Sequence, residues 1–167
     1  MLRETTIPVR VSALTVDPFT NLPVVILVDD LEGTTIPISV GIGEATAIAT
    51  ELDHIELERP MTHQLVAAML AKLGAVVEAV EVRDLVGGIF YATIRLTLEN
   101  GECITQDARP SDALALALHT GAEITVTPRV VDKLCRCRNG RHAHHTNPGS
   151  SLDLEGLGDD AFGKWKV

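Results

Sequence analysis

The densest group of residues that could do chemistry is the run 107–112, which reads Asp-Ala-Arg-Pro-Ser-Asp. It lies where a predicted strand leads into a predicted helix, and helix N-termini attract anions through unpaired backbone N–H groups. The carboxylates of Asp107 and Asp112 are suitable ligands for a divalent metal, and the Arg109 guanidinium suits a phosphate. Ser111 adds a hydroxyl group. The run therefore indicates a site for a metal and a phosphate together.

A purely structural explanation of the same run is also open. Asp112 would complement the helix dipole, Ser111 would cap the helix, and Arg109 would pair with Asp107. Spacing along the chain does not choose between the two explanations.

A second candidate group precedes another predicted helix. His63 follows Thr62 in the first helical turn, where the helix dipole disfavours the imidazolium and leaves a neutral ring available as a base or a ligand. Arg59, just upstream, could contact a phosphate. In the alternative explanation, His63 is a surface or capping residue and Arg59 is a salt-bridge partner.

Two further carboxylates could complete a metal site. Glu44 opens the helix before His63, and Asp84 ends a strand before a Gly-Gly turn. Each also has a simple structural explanation, since Glu44 suits a helix N-terminus and Asp84 suits a turn.

These residues depend on strands and helices that the hydrophobic pattern predicts. Segments rich in β-branched residues, separated by turn-forming residues, predict an opening of three strands, a later meander of three strands and a short last strand. The segments are 7–16, 23–29 and 34–40, then 76–82, 89–98 and 102–106, then 123–126. The first two segments form a hairpin, and the Asn-Gly pair at 100–101 is a strong hairpin signal within the meander.

Helical spacing of apolar residues predicts three helices and a short fourth. Residues 44–52 form the first, and Thr62 caps the second, which Gly74 ends. An apolar stripe on the second helix consists of Leu65, Val66, Met69, Leu70 and Leu73. Pro110 begins the third helix, Gly121 ends it, and the fourth follows Pro128. Blocks of strands and helices predict an α+β fold, with mostly antiparallel strands in a hairpin and a meander packed with three to four helices.

Composition narrows the class of protein. The 167 residues are 46% hydrophobic but only 3% aromatic, so an aromatic platform for stacked bases is disfavoured. A net charge of -9 repels polyanions unless cations are concentrated locally. The three cysteines do not predict a disulfide framework, and the sequence has neither a signal-like start nor a run of about 18 apolar residues. We therefore expect a cytoplasmic protein that does not enter a membrane.

The pattern divides the chain into a domain at 1–134, a linker rich in Cys, His and Arg at 135–151, and a docking tail at 152–167. Residues 129–145 carry five cations against one carboxylate, a local charge of +4 that could hold a polyanion. A zinc site is chemically possible in the linker, but the Cys-x-Cys spacing followed by clustered histidines lacks the usual finger pattern. We therefore expect a flexible linker. The possible zinc ligands are Cys135, Cys137, His142, His144 and His145.

Several separated motifs together resemble one known family, the bifunctional nuclease domain, which was long classed as a domain of unknown function. They are Glu-Ala-x-Ala-Ile at 44–48, Arg-Pro-x-Thr-His at 59–63, Leu-Gly at 73–74, Asp84 with Gly-x-Phe-Tyr-Ala at 88–92, and Asp-Ala-Arg-Pro-Ser-Asp-Ala at 107–113. The resemblance runs from about residue 7 to 133. The ending at 162–166 is similar to the tail of many bacterial members.

The resemblance implies a cytoplasmic, homo-oligomeric α+β protein that cleaves DNA and RNA. For that activity we hypothesise phosphodiester hydrolysis assisted by Mg²⁺ or Mn²⁺. The metal would be held by Asp107, Asp112 and either Glu44 or Asp84, while Arg59 and Arg109 contact phosphate and His63 acts as acid or base. The competing interpretation is a binding or regulatory module without enzymatic activity, in which the same residues hold the fold together.

Overall fold

A computed structural model describes residues 6–141, and their side chains as far as residue 136. The predicted α+β class is confirmed, since this part of the chain contains four helices and eight strands. In chain order the elements are β1 Ile7–Pro8, β2 Arg10–Val16, β3 Pro23–Val28, β4 Thr35–Ser39, α1 Ile42–Leu52, α2 Thr62–Lys72, β5 Ala75–Val86, β6 Ile89–Leu98, β7 Cys103–Ala108, α3 Pro110–Thr120, β8 Glu123–Val126 and α4 Pro128–Arg141.

The larger sheet has the strand order β1-β8-β5-β6-β7. The predicted meander is confirmed because β5, β6 and β7 pair antiparallel in succession. The chain then crosses the sheet through α3, and β8 pairs parallel with β5. This crossover places the N-terminus of α3 directly after β7.

The smaller sheet, with the order β2-β3-β4, is the predicted hairpin extended by a third strand. The prediction of a single strand over 7–16 is wrong. Residues 7–8 pair with β8 of the larger sheet, whereas residues 10–16 pair with β3. The split occurs at Val9, whose N–H donates to the Ile124 carbonyl and keeps the chain on the larger sheet for one more residue.

Helix α3 is the centre of the core. Its residues 113–117, Ala-Leu-Ala-Leu-Ala, are all buried, and they pack with α1, α2 and one face of the larger sheet. In helix α1, Ala45 and Ile48 are buried in the same core, as the helical spacing of apolar residues predicts. Since the small alanines let neighbouring helices approach closely, α1 and α2 can both lie against α3.

The helix ends agree with the sequence in part. Pro110 is the first residue of α3, and Gly121 ends that helix with a left-handed φ of 69°, which glycine adopts without strain. The prediction that Thr62 caps α2 is wrong, because Thr62 is already helical and Met61 is the N-cap. The Met61 backbone N–H instead donates to Gln64 Oε1 at 2.9 Å.

Helix α4 is longer than predicted and extends to Arg141. It therefore includes residues 135–141, the first part of the predicted linker. The rest of that linker, the tail at 152–167, and His142, His144 and His145 of the possible zinc site lie outside the described residues. None of the helices described here is both long and apolar enough to span a bilayer.

Candidate functional site

The first turns of three helices meet at one place on the surface. Glu44 belongs to the first turn of α1, His63 to that of α2 and Asp112 to that of α3, while Arg109 is the N-cap of α3. We call these four residues the helix-start cluster. A helix N-terminus carries a partial positive charge and unpaired N–H groups, so three of them together create an environment suited to anions.

The local sequence explains how Arg109 and Asp112 come together. A residue that precedes proline is held in extended backbone, and Arg109, just before Pro110, has φ -69° and ψ 143°. Three residues later, Asp112 lies in the first turn and reaches back toward Arg109. The result is a bidentate pair, with Arg109 Nε 2.8 Å from Asp112 Oδ2 and Arg109 Nη2 3.0 Å from Asp112 Oδ1.

Arg109 also connects α3 to α1. Its Nη2 donates to Glu44 Oε1 at 2.6 Å, so one guanidinium holds two carboxylates. Two-thirds of the Arg109 side chain remains exposed, with a relative accessibility of 67%. Its Nη1 group makes no hydrogen bond with the described residues, and this leaves two N–H donors directed at neither carboxylate.

His63 joins the cluster through the same carboxylate. Its Nε2 lies 3.0 Å from Asp112 Oδ1, and the imidazole is mostly buried. Because an ionised carboxylate can only accept hydrogen bonds, Nε2 must carry the hydrogen. A neutral His63 ring therefore keeps its lone pair on Nδ1.

These contacts shift two ionisation equilibria. Partial burial acts to raise the pKa of Asp112, but hydrogen bonds from Arg109 and His63 outweigh it and hold that pKa below its usual value. The hydrogen bonds to Asp112 and Glu44 raise the pKa of Arg109. Asp112 is therefore ionised and Arg109 is charged at neutral pH.

We expect the lowered pKa of Asp112 to make stability depend on pH in acid. Ionised Asp112 contributes its full stability above about pH 3.9, the usual pKa of an unfolded aspartate. This contribution is lost as the pH falls through the lower pKa that Asp112 has in the folded protein. The difference in urea midpoint between wild type and Asp112→Asn should therefore shrink between pH 5 and about pH 2. An equal difference at both pH values would contradict this assignment.

The structure separates the other predicted carboxylates from this cluster. Asp107 lies on β7 and pairs with Arg83, at 2.7 Å, so the alternative pairing of Asp107 with Arg109 is wrong. Asp84 pairs with Lys133 of α4, and this hydrogen bond is the main reason why its pKa is lowered. Among the described residues, no group of three or more His, Cys, Asp or Glu side chains is arranged to hold a metal ion. Of the predicted metal ligands, only Glu44 and Asp112 meet.

The remaining predicted site residues lie near or within the same helix starts. Ser111 is in the first turn of α3 but is only 7% exposed, and it is not the N-cap, so the alternative in which it caps the helix is wrong. Arg59 is exposed in the loop that leads to α2. Within the described part of the chain, Arg59 makes no hydrogen bond or ion pair.

The sequence analysis did not predict a second polar network, which lies about two helical turns further along α1 and α3. Glu51 Oε1 lies 3.0 Å from His119 Nδ1 and accepts a hydrogen bond from Gln64 Nε2 at 2.9 Å. Seven-residue spacing could have revealed it, since Glu51 follows Glu44 by seven positions and His119 follows Asp112 by seven. Residues seven apart share a helix face, so both networks lie where α1 faces α3.

The helix-start cluster does not line the cavity beside α2. That cavity, of about 340 Å³, lies between the second half of α2 and the start of β5. Its lining is mostly apolar but includes Glu99 and Thr120, and it contains no member of the helix-start cluster.

Together, the fold and the cluster define an α+β domain with a polar site where three helices begin. Residues 25–136, more than half of the chain, match the family model of the bifunctional nuclease domain. The chain therefore belongs to the bifunctional nuclease domain family, as its motifs predict.

Similar proteins occur in bacteria and plants. An uncharacterized protein of Mycobacterium tuberculosis is 37% identical over 123 residues, which are 74% of this chain and 73% of the relative. Bifunctional nuclease 2 of Arabidopsis thaliana is 28% identical over 105 residues, 62% of this chain and 32% of the relative. Bifunctional nuclease 2 of Oryza sativa is 29% identical over the same shares.

Proposed function

We propose that this domain hydrolyses phosphodiester bonds in DNA or RNA at the helix-start cluster. The observation that carries the proposal is the meeting of three helix N-termini around Arg109, Asp112 and His63. An anion-suited surface with a guanidinium and a paired histidine contains the groups that phosphoryl transfer needs. Membership in the family and the names of the plant relatives support the same activity.

Arg109 is proposed to hold the phosphate. Its Nε and Nη2 groups are fixed by two carboxylates, so the guanidinium plane is set before the substrate arrives. The two donors of Nη1 then contact a non-bridging oxygen, where negative charge increases in the transition state. Arg59, exposed on the loop before α2, supplies a second phosphate contact.

His63 is proposed as the general base. Water attacks phosphorus while His63 Nδ1 takes up its proton, and the phosphorus–oxygen bond to the leaving group breaks. The leaving oxygen takes a proton from solvent water and departs as a hydroxyl, and the imidazolium of His63 returns its own proton to solvent. Asp112 accepts a hydrogen bond from the Nε2–H group of His63. This contact orients the ring and stabilises the imidazolium that forms.

A bound divalent metal stays a prediction, and the residues of the helix-start cluster meet only part of what such a metal requires. The predicted set of carboxylate ligands does not assemble, but Mg²⁺ commonly uses one or two protein carboxylates together with water and substrate oxygens. Glu44 and Asp112 would hold it, and the metal would neutralise charge on the phosphate. Arg109 already bridges these two carboxylates, so it would have to give up part of these contacts for either of them to hold a metal.

The test is cleavage of labelled single-stranded RNA and DNA by purified full-length protein, with Mg²⁺, with Mn²⁺ and with EDTA. Asp112→Ala from the same purification is the contamination control, and Asp107→Ala is the matched control because Asp107 lies outside the cluster. We expect cleavage by wild type and Asp107→Ala and loss of cleavage in Asp112→Ala. Equal cleavage by all three proteins, or by none, would refute the proposal.

A second candidate function is a binding or regulatory module without catalysis. One observation favours it: each member of the cluster already has a partner, and together these pairs connect α1, α2 and α3. Such a network can simply fix the helices relative to one another. On this alternative, wild type would bind nucleic acid without cleaving it.

A further inference from the structure

Helix α2 has less hydrophobic attachment to the core than α1 or α3. Ala67 is its only buried residue, whereas α1 buries four residues and α3 buries seven. Of the apolar stripe predicted from the sequence, Leu70 packs against the core, and the other members are exposed. Those exposed members are Leu65, Val66, Met69 and Leu73. Polar contacts therefore have a large share in fixing where α2 lies.

Gln64 attaches the first turn of α2 to α1. It follows His63 directly, and both ends of its amide are engaged. Gln64 Oε1 accepts a hydrogen bond from the Met61 backbone N–H at 2.9 Å, and Gln64 Nε2 donates to Glu51 Oε1 at 2.9 Å. The first contact caps the helix, and the second connects that capped turn to α1. His63 belongs to the turn that is held in this way.

Glu51 is a well-fixed partner for Gln64. Only 17% of the Glu51 side chain is exposed, and Oε1 also lies 3.0 Å from His119 Nδ1 of α3. One carboxylate oxygen of α1 therefore contacts side chains of both α2 and α3. The three helices that form the helix-start cluster are joined a second time at Glu51.

We propose that Glu51, acting through Gln64, is a positioning residue for His63. The hydrogen bond from His63 Nε2 to Asp112 Oδ1 joins α2 to α3, so it depends on where the first turn of α2 lies. The Gln64–Glu51 hydrogen bond fixes that turn from the neighbouring residue. Without it the turn moves relative to α3, and the His63 ring loses its fixed orientation. The expected effect on cleavage rests on the proposed function, whereas the orientation of the ring does not.

The variant that tests this role is Gln64→Glu in the full chain. Glutamate keeps an oxygen for the Met61 N–H, but it has no donor for Glu51 and places two carboxylates side by side. NMR of ¹⁵N-labelled histidine rings shows which nitrogen carries the hydrogen, and the His63 signals are those absent from His63→Gln. Wild type should have the hydrogen on Nε2, because the bond to Asp112 selects that tautomer. Gln64→Glu should give a mixture of tautomers.

Cleavage is the second readout. In Gln64→Glu the single-turnover rate should fall about 10- to 100-fold with little change in KM, because a misplacement of about 1 Å can cost about 100-fold. The double variant Glu51→Gln with Gln64→Glu exchanges the amide and the carboxylate. It restores a donor and an acceptor between α1 and α2, so both readouts should return part of the way to wild type.

Asn100→Asp is the matched control. Asn100 also accepts a backbone N–H through its side-chain oxygen and donates to a glutamate, Glu102, but it lies in the turn before β7. The substitution adds the same charge and removes the same kind of donor. It should change neither the His63 tautomer nor the rate of cleavage.

Two results would overturn the positioning role whether or not the protein cleaves nucleic acid. One is a wild-type His63 tautomer in folded Gln64→Glu, and the other is a double variant no closer to wild type than Gln64→Glu. If circular dichroism shows that Gln64→Glu does not fold, Glu51→Ala replaces it with the same expected shift in tautomer. The expected tautomers without any cleavage by wild type would support the positioning of the ring and refute the proposed function alone.

Discussion

His63→Gln is expected to lower the rate of phosphodiester cleavage about 10²- to 10⁴-fold, the usual contribution of a general base. Glutamine keeps an N–H donor close to the position of His63 Nε2, so the hydrogen bond to Asp112 can persist. It has no basic nitrogen at the position of Nδ1, and so it cannot take the proton from water. The measurement is the single-turnover rate on a labelled oligonucleotide.

The melting temperature distinguishes loss of a base from loss of structure. In His63→Gln it should change little, because the hydrogen bond to Asp112 can persist while the cleavage rate falls. His54→Asn is the control, since His54 is exposed and its φ of 52° lies in the left-handed region that asparagine tolerates. A wild-type rate in His63→Gln would show that His63 is not the base.

Arg109→Lys is expected to lower cleavage about 10²- to 10³-fold, a loss typical of removing one preorganised donor at a developing oxyanion. Lysine keeps the positive charge but cannot hold Asp112 through two parallel bonds while also reaching Glu44. The phosphate contact then loses its fixed direction. We expect the loss mainly in the catalytic rate, with a smaller increase in KM, because the charge remains.

The control for Arg109→Lys is Arg10→Lys, which changes another exposed arginine that pairs with a carboxylate, Asp30. That variant should cleave at the wild-type rate. Both variants should melt close to wild type, since lysine keeps the positive charge beside the carboxylates. If Arg109→Lys instead lowered the melting temperature and left the rate unchanged, the cluster would be a structural connection and the binding-module alternative would be favoured.

The two predictions concern different parts of one hydrogen-bonded chain, so their effects should not add. Arg109 and His63 both contact Asp112, which orients each of them. The double variant is therefore expected to lose less activity than the product of the single losses. Full additivity would mean that the two side chains act independently.

The sequence predicted most of the fold from local patterns. The α+β class, the opening hairpin, the meander, and the start and end of α3 all follow from β-branched segments and from turn and proline signals. Two local predictions were wrong at element boundaries. The strand over 7–16 divides between two sheets because residues 7–8 pair with β8, which is distant in sequence. Met61 replaces Thr62 as the cap of α2, where its N–H donates to Gln64 three residues later.

The candidate site was predicted as a set of residues but not as a group of contacts. Arg109 and Asp112 are three residues apart on a helix start, and their pairing follows from that spacing alone. Their partners Glu44 and His63 lie 65 and 49 residues away in sequence, so only the packing of α1 and α2 against α3 brings them close. The same packing excludes Asp107, which adjoins the cluster in sequence but lies on a strand and pairs with Arg83.

By itself, the sequence determined the family, the elements and the residues capable of chemistry, because these depend on residue type and short spacing. The tertiary structure alone decided that one guanidinium bridges two carboxylates and that the apolar stripe of α2 faces outward. A periodic pattern identifies an apolar helix face, but it does not say whether the chain's own core or another surface covers it. That choice depends on the long-range packing of the alanine-rich α3, which leaves space for the Ala67 side of α2.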